Sequence, residues 1–163
     1  MGQTMTSETL SISGSDGHYY CVGLQSKPIC RGYKKTVYKG VLLGRGPRQW
    51  EKVVAKSFTD IPGNKECWSN EVNKAFVTKQ LTIKFVESLT LRYKIKVVIP
   101  GLVQMDQVSK INKWLEHWHG HRTLQKDDWI SIEEFIPGDV YRFCPWSEGR
   151  ISKNSDIIES DFL

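Results

Sequence analysis

Apolar and polar positions follow two periods along the chain, and the switches between them mark the elements. Residues 18–43 hold short aromatic and β-branched runs, Tyr19-Tyr20-Cys21-Val22, Thr36-Val37-Tyr38 and Val41-Leu42-Leu43, punctuated by Gly23, Gly32 and Gly40. Runs of this kind between glycines predict strands joined by turns. Gly44-Arg45-Gly46-Pro47 is a further turn signal, and residues 52–58 read as a strand. After the break at Ile61-Pro62-Gly63-Asn64 the period lengthens: Trp68, Val72, Ala75, Phe76 and Lys79 fall at helical spacing, with Leu81 and Phe85 beyond. A helix from Lys65 to about Ser88 is predicted, with Asn64 as its cap and Glu66 in its first turn. Residues 91–99 alternate in strand style up to Pro100-Gly101. Residues 104–118 predict a second helix with Val108, Ile111, Leu115 and Trp118 on one face, a strand being the alternative there. A polar loop at 119–128 leads to a clear strand at 129–136, closed by Pro137-Gly138.

This order predicts an α+β fold, a mostly antiparallel sheet with one main packed helix and room for a second. The short turns between the early strands favour hairpins. Residues 1–17, rich in Ser, Thr and Gly, read as a flexible tail, and residues 147–163 as a polar, frayed one, leaving 18–146 as the folded unit.

Composition narrows the class. With 163 residues, 39% apolar and 25% charged, the chain is one domain long and able to bury a core, to which six Trp and six Phe contribute. No apolar run approaches the ~20 residues that span a bilayer, and no signal-peptide core opens the chain. A cytoplasmic location and no transmembrane segment are the expectation. Met1-Gly2-Gln3-Thr4-Met5-Thr6 fits the loose myristoylation pattern with Gly2 as acceptor, but no Lys precedes Lys27 to reinforce an acyl chain. The net charge of +5 is spread along the chain. It suits an anionic ligand, whereas the absence of a basic stripe or a recognition motif speaks against nucleic acid as a partner. Cys21, Cys30, Cys67 and Cys144 form no Cys-x-x-Cys pair and are expected to be free thiols rather than zinc ligands.

Several residues are candidates for chemistry. Lys56, in Val53-Val54-Ala55-Lys56, sits on a strand from which its ammonium can reach phosphate oxygens in a cleft; a solvated strand-edge lysine is the plain alternative. Glu71, fifteen positions later on the predicted helix, can hold that ammonium, or can simply face water. Gly44 and Gly46 allow backbone N–H groups close to phosphates, although an ordinary hairpin turn has the same composition and no Walker Gly-Lys-Ser/Thr follows. Glu133 and Glu134 point to opposite faces of a strand. His117, His119 and His121 alternate beside Glu116 and would share a face on a strand, a metal-binding arrangement that Gly120 and the polar neighbours argue against; no metal site is expected.

Three segments together resemble the alpha-type (atypical) serine/threonine protein kinase family, which includes the elongation-factor-2 and myosin-heavy-chain kinases. They are Val53-Val54-Ala55-Lys56-Ser57-Phe58, the helix from Glu71-Val72-Asn73 through Leu81-Thr82-Ile83-Lys84-Phe85, and Ile132-Glu133-Glu134-Phe135-Ile136-Pro137-Gly138 with Asp139-Val140-Tyr141-Arg142-Phe143 after it. The resemblance covers residues 35–145 and implies the nucleotide-binding half of such a domain, with a kinase N-lobe-like fold and ATP as ligand, magnesium being expected for the full domain. It implies that Lys56 contacts the phosphates with Glu71 behind it, that the Glu134 and Ile136 backbone holds adenine beside Glu133, and that Gly44 and Gly46 approach the phosphates. In two places the chain departs from the family pattern. Val86 follows Phe85 where the family has Asn, and Cys144-Pro145-Trp146-Ser147 replaces an Asn-rich segment. The family's catalytic Asp, its Gln-Gly segment and its His/Cys zinc site belong after this stretch, so no catalytic residue is assigned within it. The expected function is the ATP-binding part of an alpha-type kinase domain, truncated and inactive alone, with a protein substrate or the missing C-lobe as partner. The alternative is a non-catalytic nucleotide- or protein-binding module.

Overall fold

The structure, a computed structural model, describes residues 7–89 and 95–138. In chain order the elements are β1 (Ser7–Thr9), β2 (Ile12–Ser13), β3 (Tyr19–Leu24), β4 (Cys30–Arg31), β5 (Lys35–Gly44), β6 (Lys52–Phe58), α1 (Lys65–Ser88), β7 (Gly101–Gln107), α2 (Lys110–His119) and β8 (Trp129–Glu134). The expected lipidation at Gly2, the tail at 147–163, Cys144, and the parts of the kinase-like segment from Asp139 onward lie outside the described residues.

All strand pairs are antiparallel. The strands run in the order β3, β1, β7, β8, β6, β5, and β5 returns to pair with β3, so six strands close into a barrel. β2 extends the β1 edge of β3 and β4 extends the β3 edge of β5, each by two residues. Period-two alternation sorts the side chains. Tyr20, Val22, Leu24, Tyr38, Leu42, Val53, Ala55, Val103, Met105, Ile130 and Ile132 point inward and form one buried cluster with Leu124. A barrel this small is filled by its own side chains.

This overturns the expected α+β arrangement of a kinase N-lobe-like sheet with a helix packed on it. The helix exists with the expected bounds, and Asn64 caps it, its side chain accepting from the Cys67 N–H at 2.8 Å. What it lacks is a covered face. Trp68 is its sole fully buried side chain, whereas Phe76, Val77, Leu81, Ile83, Phe85 and Val86 are exposed, Leu81 to 62%. The apolar residues fall on opposite sides of the helix, so there is no single stripe for a sheet to bury. The sheet instead buries its own inner face by closing on itself.

Three smaller differences follow from closure. Residues 7–13, expected in a flexible tail, supply β1 and β2. Ser7 is buried, its hydroxyl accepting from the Ser109 N–H at 3.0 Å and from Asn112 Nδ2 at 3.2 Å. Residues 101–107, the first of which was expected as a turn and the last four in a helix, form β7, and α2 begins only at Lys110. Gly23 and Gly40 lie within paired strands rather than turns, Gly23 opposite Val41 and Gly40 opposite Leu24.

Acid is expected to weaken one corner of the barrel. The Tyr20 hydroxyl donates to Asp16, the largest of the effects that hold the Asp16 carboxyl below the ordinary carboxylate range. Arg48 does the same to Glu51, donating through Nε at 2.6 Å and Nη2 at 3.0 Å. Because both folded values lie below the unfolded ones, their stabilisation is fully present above the unfolded value. It is lost as pH falls through the folded ones. The thermal midpoint should therefore drop as pH falls below about 4, and Asp16→Asn should flatten that slope. A variant with the wild-type slope would show that Asp16 does not contribute.

Candidate functional site

The hairpin of β5 and β6 brings together a row of lysines on the outer wall of the barrel. Val37 pairs with Lys56, Lys39 with Val54, and Val41 with Lys52. Lys39, Lys52 and Lys56 therefore share the outward face, Lys39 sitting diagonally between the other two, and diagonal neighbours of this kind lie ~7–8 Å apart. On the other side of β6, Val54 pairs with Glu133 of β8, and the Phe135 N–H donates to the Lys52 carbonyl at 3.2 Å. The segment just past β8 thus places an aromatic ring beside Lys52.

A cleft of ≈ 450 Å³ opens on this wall, lined by Gly23, Gln25, Lys39, Val41, Lys52 and Phe135 among others. Gly23 contributes no side chain, the Leu43 side chain lying over it, and Val41 contributes an apolar one. The Lys39 ammonium lies 5.9 Å from the centre of the Phe135 ring, a cation–π distance. Lys52 makes no ion pair with any described residue. No carboxylate is among the lining residues.

Lys56 and Glu133 lie just beyond the cleft on the same wall. The Lys56 ammonium donates to both Glu133 oxygens, at 2.7 and 2.6 Å, with the two side chains 30% and 22% exposed. Lys56 therefore does reach the 132–138 segment, on the same face as Glu133. Its carboxylate partner is Glu133 and not Glu71. Glu71 instead pairs with Lys35. The register explains the exchange: Lys35 is opposite Phe58, and the Phe58 ring packs on Trp68 at 4.5 Å between centroids. Lys35 thus lies under Trp68, 5.1 Å from its ring centre, and Glu71 is three residues further on the same helix face.

The remaining expected site residues do not converge on the cleft. Glu134 pairs with Lys96, and Ile136 is 59% exposed beyond the strand. Gly44 and Gly46 close on the barrel rather than on open space. A Cβ at 44 would meet the Tyr19 carbonyl oxygen at 2.5 Å, and the space beside Gly46 is filled by the Tyr20 hydroxyl. Both glycines serve the packing of this turn. His117 and His119 belong to α2, two positions apart, and His121 follows its end, so the three do not share a strand face. Cys21, Cys30 and Cys67 are free thiols.

Lys39, Lys52 and Phe135 were not singled out in the sequence. Their signal is register: Lys39 and Lys52 occupy outward positions of two strands whose pairing cannot be read before the turn between them is placed. Phe135 sits in the kinase-like segment directly after Glu133-Glu134, whose carboxylates are the more conspicuous chemistry.

No protein-family model matches the chain, and neither a curated protein nor a solved structure gives a significant match to it.

Proposed function

We propose that this chain is a nucleotide-binding module, with the outer-wall cleft as its site and ATP as the ligand class. The observation that carries this reading is the placement of three ammonium groups, Lys52, Lys39 and Lys56, diagonally along two paired strands beside the Phe135 ring. A polyphosphate is a row of negative charges, and lysines bind phosphate as point charges. A purine is planar and stacks on an aromatic ring, which Phe135 supplies at the cleft. The volume lies within the ~300–1,000 Å³ of ordinary small-molecule sites.

Lys56 differs from the other two lysines because Glu133 already neutralises it. A phosphate arriving there competes with a carboxylate, so most of the attraction comes from Lys39 and Lys52. The site supplies charge and stacking, which phosphoryl transfer needs but which do not perform it. The reading is accordingly one of binding without turnover.

Calorimetric titration with ATP tests this. Wild type should bind ATP more tightly than AMP. The Lys39→Ala, Lys52→Ala double variant should lose at least tenfold in affinity, about 1.4 kcal/mol, and Lys56→Ala should lose less. Equal affinity in wild type and the double variant would remove the site from the cleft.

A further inference from the structure

A second and larger cavity, of ≈ 820 Å³, opens at the end of the barrel beside α2, bounded by the turn between β3 and β4, by β4 and β5, and by the chain leaving α2. Gln25 borders both cavities, so the two lie on either side of it. The wall of this second cavity has two characters. Tyr38, Ile111, Leu115 and Pro28 make it apolar, and Ile111 is left 39% exposed although it faces a concave surface. Lys27, Arg31, His119 and His121 make the remainder cationic or hydrogen-bond donating, and no Asp or Glu lines the cavity.

The fold holds these groups at the mouth. Gly120 takes the left-handed conformation with φ of 62°, and its N–H donates to the Glu116 carbonyl at 2.9 Å, ending α2. The reversal brings His119 and His121 to the same cavity. Arg31 Nη2 donates to the Arg122 carbonyl at 3.0 Å, which positions the guanidinium without neutralising it. Arg122 itself is neutralised, since Nη2 donates to both oxygens of Asp128 at 2.6 Å, and its Nε is buried with no hydrogen-bond partner. Glu116, on the same helix as Ile111 and Leu115, is engaged by Thr123 Oγ1 at 3.4 Å and by Gln125 Nε2. Lys27 and Arg31 line the cavity as exposed residues and form no ion pair with a described residue.

We infer that this cavity binds an amphipathic acid, a single anionic head on an aliphatic or aromatic body. A small inorganic anion would satisfy Lys27 and Arg31 but leave Ile111 and Leu115 wet. A neutral apolar molecule would cover the apolar wall but gain nothing from the two cations and two imidazoles, which stay exposed at the rim. An acid with an apolar body meets both demands. Its head lies between Lys27 and Arg31, within reach of His119 and His121, and its body lies along Ile111, Leu115 and the Tyr38 ring. This site is separate from the lysine cleft, and either can fail without the other.

Decanoate, 1-decanol and inorganic phosphate distinguish the possibilities when titrated into the full chain and followed by amide NMR shifts and calorimetry. Decanoate should bind saturably and shift Arg31, Ile111, His119 and His121, with decanol at least tenfold weaker and phosphate alone not saturating. Arg31→Gln should lower decanoate affinity about tenfold and leave decanol unchanged, and Ile111→Ser should weaken both. Circular dichroism of each variant checks that the barrel is intact. Equal affinity for decanoate and decanol would overturn the assignment, as would phosphate binding as tightly as decanoate, an Arg31→Gln variant with wild-type affinity, or no decanoate binding.

Discussion

Trp68→Ala should cost about 3–5 kcal/mol of stability, the range for truncating a buried large aromatic residue. Trp68 is fully buried and is the single point at which α1 enters the barrel wall. Its indole N–H donates to the Trp129 carbonyl at 2.8 Å, its ring packs on Phe58 at 4.5 Å, and Lys35 lies over its face. Alanine removes the apolar contact and leaves a carbonyl of β8 without its donor, a second penalty beyond the cavity. Truncations in the distal half of the same helix should behave oppositely. Leu81→Ala and Val77→Ala remove side chains that are 62% and 58% exposed and should change stability by less than about 0.5 kcal/mol. Urea unfolding of the three variants checks this. A Trp68→Ala loss no larger than that of Leu81→Ala would mean that α1 is not anchored through its first turns.

Gly63→Ala should cost about 3 kcal/mol, at the upper end of overpacking penalties. The carbonyl of Gly63 accepts from the Trp129 N–H at 2.9 Å, so the two backbones already touch where the chain approaches α1. A Cβ at position 63 would fall inside the Trp129 carbonyl oxygen, with the Trp129 carbonyl carbon at 3.2 Å and its nitrogen at 3.4 Å. Every one of these neighbours is backbone of a central strand, and none can rotate away. The helix start must shift instead, and the seat of Trp68 shifts with it. The losses from Gly63→Ala and Trp68→Ala should therefore be less than additive in the double variant, since both act on one contact. Full additivity in denaturant unfolding would contradict this coupling. Gly120→Ala, where a Cβ would meet nothing within 4 Å, is a control for the left-handed backbone alone.

Local elements were legible where local chemistry decides them. The Asn64 cap, the helix after it, the β5–β6 turn and the bounds of β6 all follow from residues within a few positions of one another. Closure was not legible, because its key strand hides its burial in polar residues. Ser7 and Thr9 are buried through hydrogen bonds rather than apolar surface: the Thr9 hydroxyl accepts from the Val22 N–H at 3.0 Å and donates to the Leu10 carbonyl at 2.9 Å. A Ser-Glu-Thr triplet gives no hydrophobic alternation to read. Most of β7 reads equally as a helix start or, as the alternative, a strand, since only Val103 and Met105 mark its inward face, and a two-residue signal is too short to separate the two. The candidate site was half legible. Lys56 and Glu133 were both named, and they meet. Which carboxylate would claim Lys56 depended on the register that sets Lys35 under Trp68, a long-range fact that no local spacing contains.

ATP is expected to touch the barrel wall at the cleft between Lys39, Lys52 and Phe135. Amide and side-chain NMR of the labelled chain, titrated with ATP, reads that contact residue by residue. The largest shifts are predicted at Gly23, Gln25, Lys39, Lys52 and Phe135, with Lys56 and Glu133 next as their ion pair adjusts. Shifts confined to other faces of the barrel, or none at saturating ATP, would contradict it.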